Sequence, residues 1–244
     1  MSYRTISIIQ WALVVVLVFS LPLWKKFESP EHLLKKKQDY HGRQGGVLAP
    51  LRFVPARYAV ANFFLYTTVE TTMILWGASF LVNAHHISPE MAAVWVSVFF
   101  LGITVGRTLN GFIAIKIQTG VILRFSIGLV IAALLVLALA PSALVASVSF
   151  LFIGLGLAPI FPSMLHQTPI YFGREIAQEA MGLQMACAYV GTTLMPPLLG
   201  QLFSRTSFAY LPGVLCIFAV LLMIGNIRLL GMTKKVPAME ASTH

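Results

Sequence analysis

Charge is scarce in this sequence. Only 10% of its 244 residues are Asp, Glu, Lys or Arg, against about 25% in a soluble globular domain, and just 8 of them are acidic. That shortage excludes a solvated or disordered chain. Cysteine is scarcer still: Cys187 and Cys216 are the only two, and both lie inside apolar runs. No disulfide framework can be built from them, and each reads as a free thiol. Reactive constellations are missing too. The sequence has no GxSxG, P-loop or HExxH pattern, and no nucleophile stands at a usable spacing from a base. His85 and His86 are adjacent, so their side chains diverge, and neither has a Cys or carboxylate at ligand spacing. An enzyme, a resident metal and an organic cofactor are all unexpected.

Apolar residues are what the chain has in quantity, 58% of the total with a mean hydropathy of +0.84. A bilayer requires about 20 consecutive apolar residues per helical span, and the runs predict seven: 5–24, 56–83, 91–115, 120–140, 144–165, 178–202 and 209–231. The net charge of +9 would suggest nucleic acid in a soluble protein, but here its distribution decides. With an odd number of spans the termini fall on opposite sides of the membrane. Fourteen of the 17 Lys and Arg residues then share one side: eight from Lys25 to Arg57, then Lys116, Arg124, Arg174, Arg228, Lys234 and Lys235. Arg4 and Arg205 lie opposite, and Arg107 sits near the end of a span. By the positive-inside rule the C-terminus is cytoplasmic and Met1 outside. The basic excess is an orientation signal in a cell (inner) membrane, and no nucleic-acid partner is expected.

The first run is too long for a signal core, lacks a small-residue cleavage pattern and ends in Trp24, Lys25 and Lys26, so 1–24 reads as a spanning helix with an interfacial anchor. Residues 25–55 change to a basic, Gly-rich and Pro-flanked linker containing Lys35, Lys36 and Lys37. Within it Glu28 to Lys37 is either a solvated connector or a short helix against lipid headgroups. Residues 56–231 form a six-helix bundle, and 232–244 a cytoplasmic tail. Inside the bundle, the stretch from Gly102 through Thr104 to Gly111 has an echo from Gly191 through Thr193 to Gly200, 89 residues on, and the same offset sets Glu90 on Glu179. Chance likeness of Gly-rich helices competes with a true repeat. Three spans separate the copies, so a true second copy is inverted, which is one way transporter halves are built.

Glu70 is the only carboxylate in mid-span. Asn62, Tyr66, Glu70, Met73 and Gly77 follow helical spacing and share one face. An unpaired carboxylate at the bilayer centre costs roughly 2.5 kcal/mol or more, so either Glu70 and Tyr66 line a wet cavity and bind a polar solute, or a protonated Glu70 is satisfied by a neighbouring helix. Gln184 has the same two readings, solute contact or helix-to-helix hydrogen bond. Pro159, Pro162, Pro196 and Pro197 remove backbone donors and are expected to bend their helices. Gly154 and Gly156 serve either a bend or close helix packing.

Taken in order, Tyr66 to Glu70, Trp76, Gly102 to Gly111 with Gly106 and Arg107, Gly156 to Pro162, and Pro196 to Gly200 resemble the C-terminal half of major facilitator superfamily transporters, on the side of the fucose permease type of sugar and proton symporters. The resemblance covers about 56–231, with 5–24 standing where the family has its sixth helix. It implies an all-α membrane protein of seven transmembrane helices, the last six forming one half from two inverted three-helix repeats. It also implies secondary transport of a small polar solute, a sugar, with a coupling proton, by alternating access between two bundles. On that reading Asn62, Tyr66, Glu70 and Gln184 contact the solute, Trp76 stacks on a sugar face, and Gly106, Arg107, Gly111 and Lys116 form a cytoplasmic gate. Ile115 stands where the family's loop motif has its acidic residue. The family's first five helices have no counterpart here, so the expected partners, besides lipid and solute, are a separate N-terminal half or a second copy. Two other readings stay open: a transport-inactive fragment, and a seven-helix receptor.

Overall fold

The computed structural model describes residue 7, residues 10–20 and residues 48–233. The greater part of the basic linker, including Lys35 to Lys37 and the Glu28 to Lys37 stretch, lies outside the described residues, as do Trp24 and the tail from residue 234. The chain divides into two units, Met1–Gly46 and Val47–His244. In the first, Gln10–Ser20 is an apolar helix, α1, within the span expected over 5–24.

The second unit is all helical among the described residues. A short 3-10 turn, Ala49–Arg52, leads into α2, Val54–His85. Pro55 falls in its first turn, where a missing N–H is no loss, and His86 in the left-handed region ends it. Helix α3, Pro89–Ile113, starts at Ser88, whose hydroxyl accepts from the Met91 amide at 3.4 Å. Helix α4 is Thr119–Ala138. Helix α5, Ala143–Leu157, is capped by Ser142 in the same way as α3, and α6 runs over Ile160–Arg205. A second 3-10 turn, Phe208–Tyr210, precedes α7, Leu211–Thr233. Cys187 and Cys216 are both free.

Two expected spans are drawn differently by the structure. The run 144–165 lies within one longer membrane-length stretch, Ala143–Gly173, whose helical hydrogen bonding is interrupted where Pro159 occupies the N-cap of α6 with a helical φ of −80° just after α5 stops. Pro162 then sits in the first turn of α6, where the backbone N–H has no intrahelical partner in any case. A connector was expected over 166–177, yet helix persists on both sides of Gly173, the single residue with non-helical torsions (φ 70°, ψ 164°). Only glycine occupies that torsion readily. Pro196 and Pro197 lie inside continuous helix.

Four helical stretches among the described residues have the length and hydropathy to cross a membrane: Pro89–Ile113, Thr119–Ala138, Ala143–Gly173 and Phe208–Met232. Helix α2 and the part of α6 after Gly173 fall short of that hydropathy. Their polar residues account for it, Asn62, Thr67, Thr68, Glu70, Thr71 and Thr72 in one and Gln178, Glu179, Gln184, Thr192 and Thr193 in the other. These two polar helices pack extensively on each other. Thr67 Oγ1 reaches the Ala188 carbonyl at 3.1 Å, and the Trp76 indole N–H donates to the Pro196 carbonyl at 2.8 Å.

Helices α3 and α5 meet by a different device. A Cβ on Gly102 would collide with the Leu151 carbonyl, and one on Gly154 with the Phe99 carbonyl. Small residues thus bring two backbones into contact, as expected where dispersion and packing, not water exclusion, hold helices together. Phe63, Tyr66, Phe80, Phe99, Phe150 and Phe203 fill the centre, each at most 2% exposed.

Candidate functional site

The polar stripe on α2 is confirmed as one face, but that face turns inward for most of its length. Asn62, Tyr66, Met73 and Gly77 are buried, and Gly77 is pressed against the Phe150 ring. Glu70 is the exception. Its side chain is 16% exposed, and its Oε1 lies 3.8 Å from Nη2 of Arg107 on α3, which is 60% exposed. At that separation the two are a charge pair with no direct hydrogen bond, so both retain free hydrogen-bonding capacity. Tyr66 lies one turn away, fully buried, tilted against Phe161 with ring centroids 6.0 Å apart. Its hydroxyl interacts electrostatically with Glu70 and Arg107 but finds no hydrogen bond of good geometry among the described residues.

Asn62 and Gln184 come together elsewhere. Both are 1% exposed, and they share a cavity of about 10 Å³ with Gln167, Thr168 and Tyr171 of α6 and Asn226 of α7. Thr168 Oγ1 donates to Gln184 Oε1 at 2.9 Å, and the Tyr171 hydroxyl donates to Gln167 Oε1 at 2.6 Å. Both side-chain polar atoms of Asn62, and Oδ1 of Asn226, have no hydrogen-bond partner among the described residues. Leaving such a buried group unsatisfied costs about 1–3 kcal/mol. Space for one water molecule is available here, and a sugar cannot fit.

Trp76 is placed as a packing residue. Besides its bond to Pro196 it lies 5.8 Å from the Phe208 ring, and a Cβ on Gly200 would run into the indole. Of the four gate positions, Gly106 is buried against Leu155 and Ala158, and Arg107 faces Glu70. Gly111 has nothing within 4 Å of where a Cβ would be, and Lys116 follows the end of α3, its amide bonded to the Ile113 carbonyl at 3.0 Å. The structure therefore joins Glu70, Tyr66 and Arg107 in one cluster, Asn62 and Gln184 in a second, and leaves Trp76, Gly111 and Lys116 apart from both. A larger groove of about 330 Å³ lies between α3, α4 and α5, lined mainly by apolar residues such as Leu109, Ile113 and Phe125, with Asn110 and Ser126 its polar members. No group of three or more His, Cys, Asp or Glu residues occurs among the described residues.

Sequence reasoning missed Gln167, Thr168, Tyr171 and Asn226. Asn226 carried a usable signal, a lone amide in mid-run of an apolar helix. It also read Arg107 as part of a gate and did not join it to Glu70, although a mid-span carboxylate and a cation within a neighbouring apolar run are natural partners.

A sequence profile of the Major Facilitator Superfamily matches residues 58–243. The chain belongs to that superfamily. Among curated superfamily relatives, the glucose/mannose transporter GlcP of Bacillus subtilis (strain 168) is 26% identical over 160 residues, covering 66% of this chain and 39% of GlcP. A crystal structure of FucP in the outward conformation matches with a TM-score of 0.62 at 14% identity over 74% of this chain and 44% of that one. FucP is the E. coli fucose:proton symporter. PepTSo, a POT family transporter, matches with a TM-score of 0.64 at 16% identity over 70% of this chain and 36% of its own. The major facilitator fold is thus established over the helical unit, and the chain spans less than half the length of the relatives it matches. Its superfamily is one of transporters and not of enzymes.

Proposed function

We propose that the helical unit is the C-terminal bundle of a secondary transporter for a sugar-like solute, working by alternating access against a second bundle. The observation that carries this is the Glu70–Arg107 pair: a carboxylate on the polar helix α2 and a guanidinium on the apolar helix α3, side by side, loosely paired at 3.8 Å and partly exposed. A carboxylate accepts from a hydroxyl and a guanidinium donates to one, so the pair suits neighbouring hydroxyls of a sugar. A glucose/mannose transporter and a fucose:proton symporter among the similar proteins support a sugar over other polar solutes.

Broken at Gly173, α6 contributes to two spans, so the unit reads as two sets of three: α2, α3 and α4, then α5 with the first part of α6, the rest of α6, and α7. Set in this way the second trio is inverted relative to the first, and rocking of one bundle on another would open the Glu70 side alternately. A proton is the coupling ion on this reading, with Glu70 its carrier. Solute contact is assigned to Glu70 and Arg107, with Tyr66 behind them. Asn62 and Gln184 hold the bundle together from within, and Trp76 pins α2 to α6. Gly106, Gly111 and Lys116 belong to a gate at the cytoplasmic end of α3. On this reading the C-terminus is on the cytoplasmic side of the cell membrane and the N-terminus outside.

The test is uptake of labelled glucose, mannose and fucose into proteoliposomes, by this chain alone and by this chain co-expressed with the N-terminal half of a related symporter. Accumulation of one of these sugars, driven by an inward proton gradient and abolished by a protonophore, is the expected result. No uptake in either arrangement, with the chain correctly inserted, would overturn the reading.

A further inference from the structure

Three polar atoms of two nine-tenths-buried residues border one small cavity with no group to bond among the described residues: Nδ2 and Oδ1 of Asn62 and Oδ1 of Asn226. We propose that this cavity is a single-water site that bridges Asn62 of α2 to Asn226 of α7 and so joins the first helix of the bundle to its last. The inference is independent of the transported solute.

Volume points to one small occupant. A cavity of about 10 Å³ is at the threshold for one water, which needs roughly 10–15 Å³ and two to four polar partners. Chemistry then separates water from a cation. Oxygens of Gln167 and Gln184 also border the cavity, but each already accepts a hydroxyl proton, from Tyr171 and Thr168. The lining oxygens are all neutral, with no carboxylate among them, whereas a hard cation gathers about six oxygen ligands and favours carboxylates. The Asn62 amide nitrogen is also a donor, which repels a cation and suits a water oxygen. A water can accept from Asn62 Nδ2 and donate to Asn226 Oδ1. Gly225 makes the approach possible, because any Cβ there would strike Asn62 Oδ1.

The surroundings explain why the site is closed. Thr168 and Gln184 lie on opposite sides of the Gly173 break in α6, and their 2.9 Å bond clamps the two arms together beside the cavity. Removal of the bridging water would leave Asn62 of α2 and Asn226 of α7 unpaired beside α6.

The whole chain in lipid nanodiscs provides the test. A structure fine enough to show ordered waters should reveal one density peak within hydrogen-bonding distance of both Asn62 and Asn226, and a dry cavity would overturn the proposal. Melting temperatures of Asn62→Leu, Asn226→Leu and the double variant give a second reading. Each single change strands the other asparagine and should lower the melting temperature by about 5 °C, while the double variant should lose less than the sum. Additive losses would overturn the bridge. Asn226→Ser, which keeps a hydrogen-bonding group, should recover part of the loss if Asn226→Leu does not fold. Exchange of sodium or potassium for choline should leave the wild-type melting temperature unchanged, and a cation-dependent shift would replace the water with an ion.

Discussion

Helix α2 carries two polar groups two turns apart with opposite fates. Asn62 is 1% exposed, enclosed by α6 and α7 in a seam that holds about 10 Å³. Glu70 is 16% exposed and faces the guanidinium of Arg107, with the Tyr66 hydroxyl interacting from one turn away. Both are costly in an apolar surrounding, and the costs are met differently. An amide enclosed on all sides can do little but hold helices together, whereas a carboxylate beside an exposed cation is free to exchange partners. The difference teaches that polarity within a span is not by itself a sign of a binding site; access decides.

The largest expected effect is at the accessible end. Glu70→Gln keeps size and loses charge, and uptake should fall about 10–100-fold, the loss of roughly 1.5–3 kcal/mol that accompanies hydrogen bonds to a charged group. Its melting temperature should stay near that of the wild type, because at 3.8 Å the pair makes no direct hydrogen bond whose loss would destabilise the bundle. A variant that melts early and transports normally would reverse the roles assigned to the two ends. Arg107→Lys should follow with about a 10-fold loss of uptake, since an ammonium keeps the charge but not the planar fork. Equal uptake by Arg107→Lys and wild type would reduce Arg107 to a counter-charge.

Much of this arrangement was legible in the sequence, and the rest was not for identifiable reasons. Helix positions followed from apolar runs of about bilayer length, and helical spacing placed Asn62, Tyr66, Glu70, Met73 and Gly77 on one face. Which way that face looks was beyond the reach of periodicity, because it is set by neighbours far along the chain, Phe150 against Gly77 and Gly225 against Asn62. The pairing of Asn62 with Asn226 is hidden for the same reason. Residues 166–177 fell between two apolar runs and so read as a connection, while the structure confines the departure from helix there to Gly173. Proline in a first turn, as at Pro162, does not disturb the helix that follows, so its presence alone did not locate a bend.

At the enclosed end the effects should be on stability. Asn62→Ala, which strands Asn226 of the proposed water bridge, and Gln184→Ala, which removes the acceptor of the Thr168 bond, should each lower stability by about 1–3 kcal/mol and shift the uptake KM by less than about twofold. A large KM change with an unchanged melting temperature, in either variant, would return that residue to the solute path. Trp76→Phe should cost about 1 kcal/mol, the value of one hydrogen bond, here that to Pro196. The loss should be confined to stability, since phenylalanine keeps the contact with Phe208.

Gly111→Ala is the smallest change and tests the comparison at a third place. No atom lies within 4 Å of the added Cβ, and the position is inside α3. Within this bundle the methyl meets nothing and relieves the helix of a flexible residue, so the melting temperature should rise, by the equivalent of about 0.5–1 kcal/mol. A gate residue, however, has to meet a second bundle in one of the two states of the cycle. If Gly111 belongs to the gate, the same methyl that stabilises the isolated bundle should slow uptake, and the two readouts should move in opposite directions. A higher melting temperature with uptake intact would mean that Gly111 faces lipid throughout the cycle and that the gate lies elsewhere along the exposed face of α3.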